Sequence, residues 1–130
     1  MWQIHHPGYH LSAFAHLSLI HTRDHTLNKT LRYAPHRTSA FGLTWSPDEL
    51  EFNLQYNYVS HRISMYDYPE DTILGASEIW SLSVARTWFS ELGAFTLVLA
   101  GDNIGNLQYE SIRGYPEPGR SLRLSATYGF

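Results

Sequence analysis

Histidine is the residue type in this chain best suited to binding a metal ion, and it occurs eight times in 130 residues. Imidazole is a good ligand for zinc, copper, nickel and haem iron. The spacings match no metal-binding motif, no helix is predicted, and the chain has no cysteine to assist. We assign no metal site and interpret these residues as polar members of loops and strand faces, with metal or haem binding as the alternative. The histidines considered are His5, His6, His10, His21, His25, His36 and His61.

Other catalytic and cofactor chemistry is not indicated. Serine, histidine and aspartate are all present, but none sits in a recognisable nucleophile elbow. Residues 101–105 contain loop glycines without a following helix, so they do not predict a phosphate-binding loop. The net charge of -3 and the lack of a basic run argue against nucleic acid as a partner. We therefore expect no enzyme activity and no cofactor.

One long connection combines aromatic and arginine side chains, which can stack on and pair with an anionic ligand. Between residues 103 and 120 it contains Tyr109, Arg113, Tyr115 and Arg120. These four are the candidate ligand-binding residues. The alternative, which is the preferred one for Arg113 and Tyr115, is that they brace the loop.

The elements that must position these residues are predicted to be β-strands. Apolar and polar residues alternate with a period of two, and turn residues separate the alternating runs. The clearest run is Leu50–Tyr58, in which leucine and aromatic side chains alternate with Glu, Asn and Gln. An antiparallel meander of about six strands is expected, over residues 9–19, 41–45, 50–58, 80–88, 95–99 and 122–130.

The connections between these strands alternate between long and short. Residues 21–37, 60–77 and 103–120 form long connections, whereas 46–49 and 90–93 form short ones. Outer-membrane barrels have short periplasmic turns and long extracellular loops. A last strand that ends at Phe130 then descends to the periplasm, and every connection lies on the side that this pattern requires.

Aromatic residues of the apolar parity form two groups, as in the interfacial girdles of membrane barrels. One group lies near the short connections and one near the long connections. The first comprises Trp45, Phe52, Trp88, Phe95, Tyr128 and Phe130, and the second Tyr56, Tyr58 and Trp80. A soluble sandwich with an aromatic core is the alternative, but it does not require this alternation of loop lengths.

The number of strands and the N-terminus both predict a larger parent protein. Bacterial membrane barrels close with at least about eight strands, and unpaired edges in lipid are costly. Residues 1–7 have neither the basic start nor the apolar run of a signal peptide. We therefore expect further strands before Met1.

A run of motifs near the C-terminus supports a specific family. Residues 102–104 (Asp-Asn-Ile) end a strand, Tyr109 and Glu110 follow, and residues 114–120 (Gly-Tyr-Pro-Glu-Pro-Gly-Arg) lead into the final alternating strand. In these features the segment 98–130 resembles the C-terminus of TonB-dependent receptors. Residues 33–37 similarly resemble the start of an earlier strand in that family, whereas Gly105 and Asn106 stand where the family usually has Phe and Asp.

The resemblance implies that residues 1–130 are the C-terminal part of a transmembrane barrel of about 22 strands. The parent would be a receptor in the bacterial outer membrane for TonB-coupled uptake of a scarce nutrient, such as an iron chelate (siderophore) or cobalamin. The plug domain, the TonB-contacting segment and the signal peptide are not in this sequence. The lipid bilayer, the nutrient and, through the missing N-terminal region, TonB are the implied partners. The alternative is a terminal piece of a passive, porin-like barrel.

The final strand also resembles the C-terminal signal by which the barrel-assembly machinery recognises its substrates. Apolar residues occupy every second position and the chain ends in phenylalanine. The expected signal residues are Leu122, Leu124, Ala126, Tyr128 and Phe130.

Overall fold

A computed structural model describes all 130 residues, and its regular structure consists entirely of β-strands. Seven strands form one antiparallel sheet in the order β1-β2-β3-β4-β7-β8-β11. These are β1 (Trp2–His6), β2 (Tyr9–Leu19), β3 (Arg37–Pro47), β4 (Leu50–Val59), β7 (Ser77–Ser90), β8 (Gly93–Asp102) and β11 (Ser121–Gly129). The predicted all-β antiparallel meander is confirmed.

Two small hairpins lie within the long connections. One pairs β5 (Arg62–Met65) with β6 (Thr72–Leu74), and the other pairs β9 (Glu110–Ile112) with β10 (Tyr115–Pro116). The structure has no helix long and apolar enough to span a membrane.

The expectation of six strands was too low, because β1 also belongs to the sheet. Its five residues pair with β2 from Trp2 opposite Ala13 to His6 opposite Tyr9. Only two apolar side chains, Trp2 and Ile4, alternate with polar ones before Pro7, so the alternating run is too short to identify a strand. The four hairpin strands were missed for the same reason, since each has four residues or fewer.

The expected alternation of long and short connections is present. Residues 7–8, 48–49 and 91–92 make two-residue turns at one end of the sheet, here called the turn end. Residues 20–36, 60–76 and 103–120 connect strands at the opposite end, the loop end. With seven strands, β1 and β11 both run from the loop end to the turn end, and each has one edge without a partner.

The strand register places most of the large apolar residues of the seven strands on one face. Leu54 lies between Leu43 and Leu82 across the sheet. Leu99 similarly lies between Val84 and Leu124. The opposite face is polar; there Thr44 donates a hydrogen bond to Asn53 at 2.6 Å, and the hydroxyls of Thr87 and Thr96 lie 3.0 Å apart.

Charged side chains interrupt the apolar parity only away from the middle of its strands. Arg37 and Glu78 lie at the loop end, where the Arg37 guanidinium is 5.5 Å from the centre of the Tyr58 ring. Arg86 lies toward the turn end, four residues before β7 ends, and its guanidinium is 5.1 Å from the Trp88 ring. The centre of this face is therefore uncharged.

An aromatic side chain on the polar face is explained by a glycine beside it. Phe14 lies opposite Gly42 across β2 and β3. A β-carbon at Gly42 would lie only 2.1 Å from the Phe14 ring, so the ring occupies the space that a side chain would fill. An aromatic ring placed over a glycine in this way restores cross-strand packing.

The apolar face is not covered by any other part of the chain. Leu74 is the one buried hydrophobic residue, and aromatic and leucine side chains along the sheet are exposed to solvent. Eight residues are buried, and of these only Gly42 lies in the middle of the sheet. The others, at or next to the loop end, are Ser60, Arg62, Ser64, Leu74, Ser77, Gly101 and Asn103. The interior of this chain is therefore polar and lies at the loop end.

Candidate functional site: the loop cluster

The three long loops, 20–36, 60–76 and 103–120, pack against one another and are here called the loop cluster. Between the first two, Lys29 Nζ lies 2.6 Å from Asp71 Oδ1. The Tyr66 hydroxyl donates to the Thr30 carbonyl at 2.6 Å, and the Tyr33 amide donates to the Ile63 carbonyl at 2.7 Å. Both side-chain and backbone groups thus join these loops.

Charge explains why the first two loops attract each other. Loop 20–36 has three cationic residues and one anionic residue, whereas loop 60–76 has one cationic residue and three anionic ones. Lys29 and Arg32 also lie 5.3 Å and 5.7 Å from the centre of the Tyr66 ring, within the range of cation–π attraction.

Arg62 joins the second loop to the third. Its Nη2 donates to the carbonyl oxygens of Glu110 and Ser111, both at 3.1 Å, and the residue is only 8% exposed. Its Nη1 is buried and has no hydrogen-bond partner. The buried cation is therefore held by backbone dipoles and not by a carboxylate.

Asn103 braces the third loop from inside. It is 5% exposed and has a positive φ of 49°. Its Nδ2 donates to the carbonyls of Leu107 at 2.9 Å and Pro118 at 3.2 Å, and its Oδ1 accepts from the Leu107 amide at 2.9 Å. One side chain thus ties the two ends of the loop together.

The hairpin at the tip of the third loop depends on glycine. Gly114 follows Arg113 in the turn between β9 and β10 and has a φ of 82°, which side chains disfavour. Its amide donates to Glu110 Oε2 at 2.9 Å, which fixes the turn.

The four candidate ligand-binding residues have different surroundings. The Arg113 guanidinium lies 4.0 Å from the Asp67 carboxylate, and Tyr115 is 72% exposed. Tyr109 lines a cleft of about 270 Å³ beside β6, whereas Arg120 is exposed and its amide donates to Asn106 Oδ1 at 2.9 Å. The loop is braced mainly by Arg62, Asn103 and backbone groups, which leaves Arg113 and Tyr115 accessible from solvent.

Sequence reasoning did not identify Arg62 or the Lys29–Asp71 pair. Arg62 contacts residues 48 and 49 positions away in sequence, a distance that no local pattern reveals. Asn103 could be found, since it lies in the strand-end motif on which the family resemblance depends.

The proposed assembly-signal residues lie on an exposed strand at one edge of the sheet. Leu124 and Ala126 on β11 pair with Leu99 and Leu97 on β8, and all nine residues of β11 are exposed. The Tyr128 hydroxyl donates to the Leu92 carbonyl at 2.7 Å, and Phe130 is fully exposed beyond the last pair. Leu122 lies on the same face, opposite Gly101.

The histidines do not assemble into a larger cluster. No group of three or more His, Cys, Asp or Glu side chains is arranged to hold a metal ion. The His21 and His36 rings lie 6.3 Å apart at the base of the first loop, and the His5 and His10 rings lie 4.8 Å apart on β1 and β2.

No protein-family model matches this chain. The three loops form a braced polar cluster at the loop end of an amphipathic sheet, with exposed aromatic and cationic groups at its surface.

Replacing Arg62 with methionine should loosen the third loop from the second. Two carbonyl oxygens would lose a charged donor, and hydrogen bonds to charged groups contribute about 1.5–3 kcal/mol each. Amide hydrogen exchange over residues 103–120 should accelerate accordingly. Arg113→Ala is the matched control, because its pairing with Asp67 is long and exposed and should contribute less than about 1 kcal/mol. Equal acceleration in both variants would contradict the anchoring role of Arg62.

Proposed function

We propose that this chain is the C-terminal part of an outer-membrane β-barrel, and that the parent is a receptor for TonB-coupled uptake of a scarce nutrient. The observation that carries the proposal is the continuous apolar face that nothing in the chain covers. In a soluble sandwich such a face packs on a second sheet. Lipid is the alternative environment in which an uncovered apolar sheet face is stable.

The dimensions of the sheet support a membrane-spanning role. Its strands, apart from β1, have 9–14 residues, and a transmembrane strand needs about 9–11. Trp80 and Trp88 are separated by eight residues, or about 26 Å along β7. At a strand tilt of about 40° this is roughly 20 Å of height, somewhat less than the apolar band of about 25 Å in outer-membrane barrels.

The direction of the edge strands supports completion by additional strands and not by a second copy. Because β1 and β11 run the same way, joining the edges of copies that share one orientation in the membrane would create parallel pairs. Bacterial outer-membrane barrels are antiparallel throughout. Antiparallel closure therefore needs an odd number of further strands, which agrees with a parent of even strand number.

The polar face suits an aqueous lumen. Shallow depressions of about 260 Å³ and 330 Å³ on this face are lined largely by small polar and charged side chains, including Asn53, Ser83, Thr87 and Thr96. Serine, threonine and asparagine tolerate contact with water or with a plug domain.

Arginine on the apolar face should destabilise the parent barrel, whereas arginine on the polar face should not. The expected loss for Leu54→Arg is about 2–4 kcal/mol of unfolding free energy, because this side chain would contact lipid near mid-depth. Gln55→Arg is the matched control, since the neighbouring residue points to the lumen. The measurement is denaturant unfolding of the full-length parent in lipid vesicles.

Five further positions, three on the apolar face and two on the polar face, extend this test. Leu82, Leu97 and Leu124 should behave as Leu54 does, whereas Ser83 and Ser125 should behave as Gln55 does. Equal losses of unfolding free energy on both faces would contradict a lipid-facing assignment.

The residues of β11, together with Phe130, are proposed to be read by the barrel-assembly machinery. Burial of one phenylalanine contributes at most about 1.5–3 kcal/mol, and Phe130 is fully exposed, with the Tyr128 ring 6.3 Å from its own. Deleting Phe130 should therefore sharply lower the amount of parent barrel in the membrane, while inserted molecules keep almost the same heat resistance. The measurement is membrane abundance together with the temperature at which heat-modifiable gel mobility is lost. Normal abundance with a lowered melting temperature would contradict the signal role.

Uptake that depends on TonB distinguishes the receptor from a passive, porin-like barrel. Cells that produce the parent should accumulate a labelled ferric siderophore or cobalamin, and deletion of TonB should abolish accumulation while binding at the cell surface remains. A passive pore would give accumulation that is unaffected by TonB and does not saturate.

The exposed side chains of the third loop are proposed to contact the nutrient, and the same binding assay at the cell surface tests them. Arg113→Ala with Tyr115→Ala should weaken surface binding, because two ligand contacts are lost. The loop itself should keep its shape, because it remains braced by Arg62 and Asn103. Normal ligand binding by the double variant would remove these two residues from the site.

A further inference from the structure

Two imidazoles face each other across the first two strands of the sheet. His5 and His10 are direct cross-strand partners, with ring centroids 4.8 Å apart and ring planes inclined at 66°. The next pair along, Ile4 and Leu11, belongs to the apolar face, so His5 and His10 lie on the polar face. His5 is exposed and His10 half-buried, and both can be reached from solvent.

The ring nitrogens of this pair are free to bind a ligand. No hydrogen bond or ion pair within the chain engages either imidazole, and His10 is flanked on β3 by Ser46, a small neutral residue. The β3 neighbour of His10 is therefore neither charged nor bulky.

We propose that His5 and His10 form a two-nitrogen site for a divalent late transition metal ion such as copper, nickel or zinc. Imidazole suits these ions, and copper binds most tightly in the usual order. At a metal–nitrogen distance of about 2.0–2.1 Å, two imidazoles on one ion have ring centroids about 4.5–5.2 Å apart for bond angles between square-planar and tetrahedral. The observed 4.8 Å lies within that range. Water completes the coordination.

Binding at this site has a structural consequence for the edge of the sheet. β1 has only five residues, all exposed, and is held on one side by β2. A metal ion bound to both strands crosslinks β1 to β2 in the folded state and so stabilises their pairing. The site does not depend on the proposed function, because both ligands belong to this chain.

The test is titration of the 130-residue chain, folded in detergent, with Cu²⁺. One ion per chain should bind, and its electron paramagnetic resonance spectrum should show hyperfine coupling to two nitrogens. Mutation of a residue that only hydrogen-bonds to a metal ligand typically lowers metal affinity about 10–100-fold. His5 and His10 are proposed as direct ligands, so His5→Ala or His10→Ala should weaken Cu²⁺ binding by about tenfold or more. Zn²⁺ should raise the melting temperature of the unmodified chain and not that of either variant.

His16→Ala is the matched control. His16 lies on the same face of the same strand as His10 but is opposite Ala40, with no second imidazole beside it. Its removal should leave affinity and coupling unchanged. Absence of Cu²⁺ binding, binding that survives His5→Ala, or equal weakening by His16→Ala would each overturn the proposal. Circular dichroism of the metal-free variants checks that all have the same fold.

Discussion

The structure depends on an apolar sheet face that the chain does not cover. Seven strands align their apolar side chains by register, yet one leucine at the loop end is the only buried hydrophobic residue. Removing apolar surface from water is the main stabilising contribution in folding, about 25 cal/mol per Å². This sheet must gain that contribution from its surroundings. The proposal of a lipid-facing barrel wall follows from this requirement more than from any single motif.

The loop end follows a different principle. Its buried residues are mainly polar, and their hydrogen bonds run to backbone carbonyls and amides, with Arg62 Nη1 as the one buried side-chain atom without a partner. Arg62 and Asn103 each link segments that are remote in sequence, and the Lys29–Asp71 pair adds attraction between loops of opposite charge. Such contacts give a defined shape to loops whose one buried hydrophobic residue is Leu74, and they leave other cationic and aromatic groups exposed at the surface.

The sequence predicted the long strands well because their alternation is a direct consequence of strand geometry. Side chains of a strand alternate between its faces, so a register that aligns apolar residues across neighbours preserves the pattern in every strand. Leu50–Val59 shows this most clearly. The same argument could not identify β1, which has too few residues, or the hairpins of four residues or fewer within the loops.

The sequence could not predict the surroundings of the candidate site residues. Tyr109, Arg113, Tyr115 and Arg120 were grouped because they share one loop, but proximity in sequence does not determine direction in space. Their surroundings in the structure differ, with Tyr109 in a cleft and Tyr115 at the surface. The contacts that shape the loop come from Arg62, 48 and 49 residues away, and tertiary contacts of this kind have no periodic signature.

The location of the buried residues implies that the two ends of this molecule have different sources of stability. The loop cluster has a small interior of its own, built from hydrogen bonds that can form in water. The apolar face gains stability only when another phase or another molecule covers it. Order in the cluster and order in the sheet therefore need not arise at the same moment. During folding, parts of the loops can acquire local structure before the apolar face of the sheet is covered.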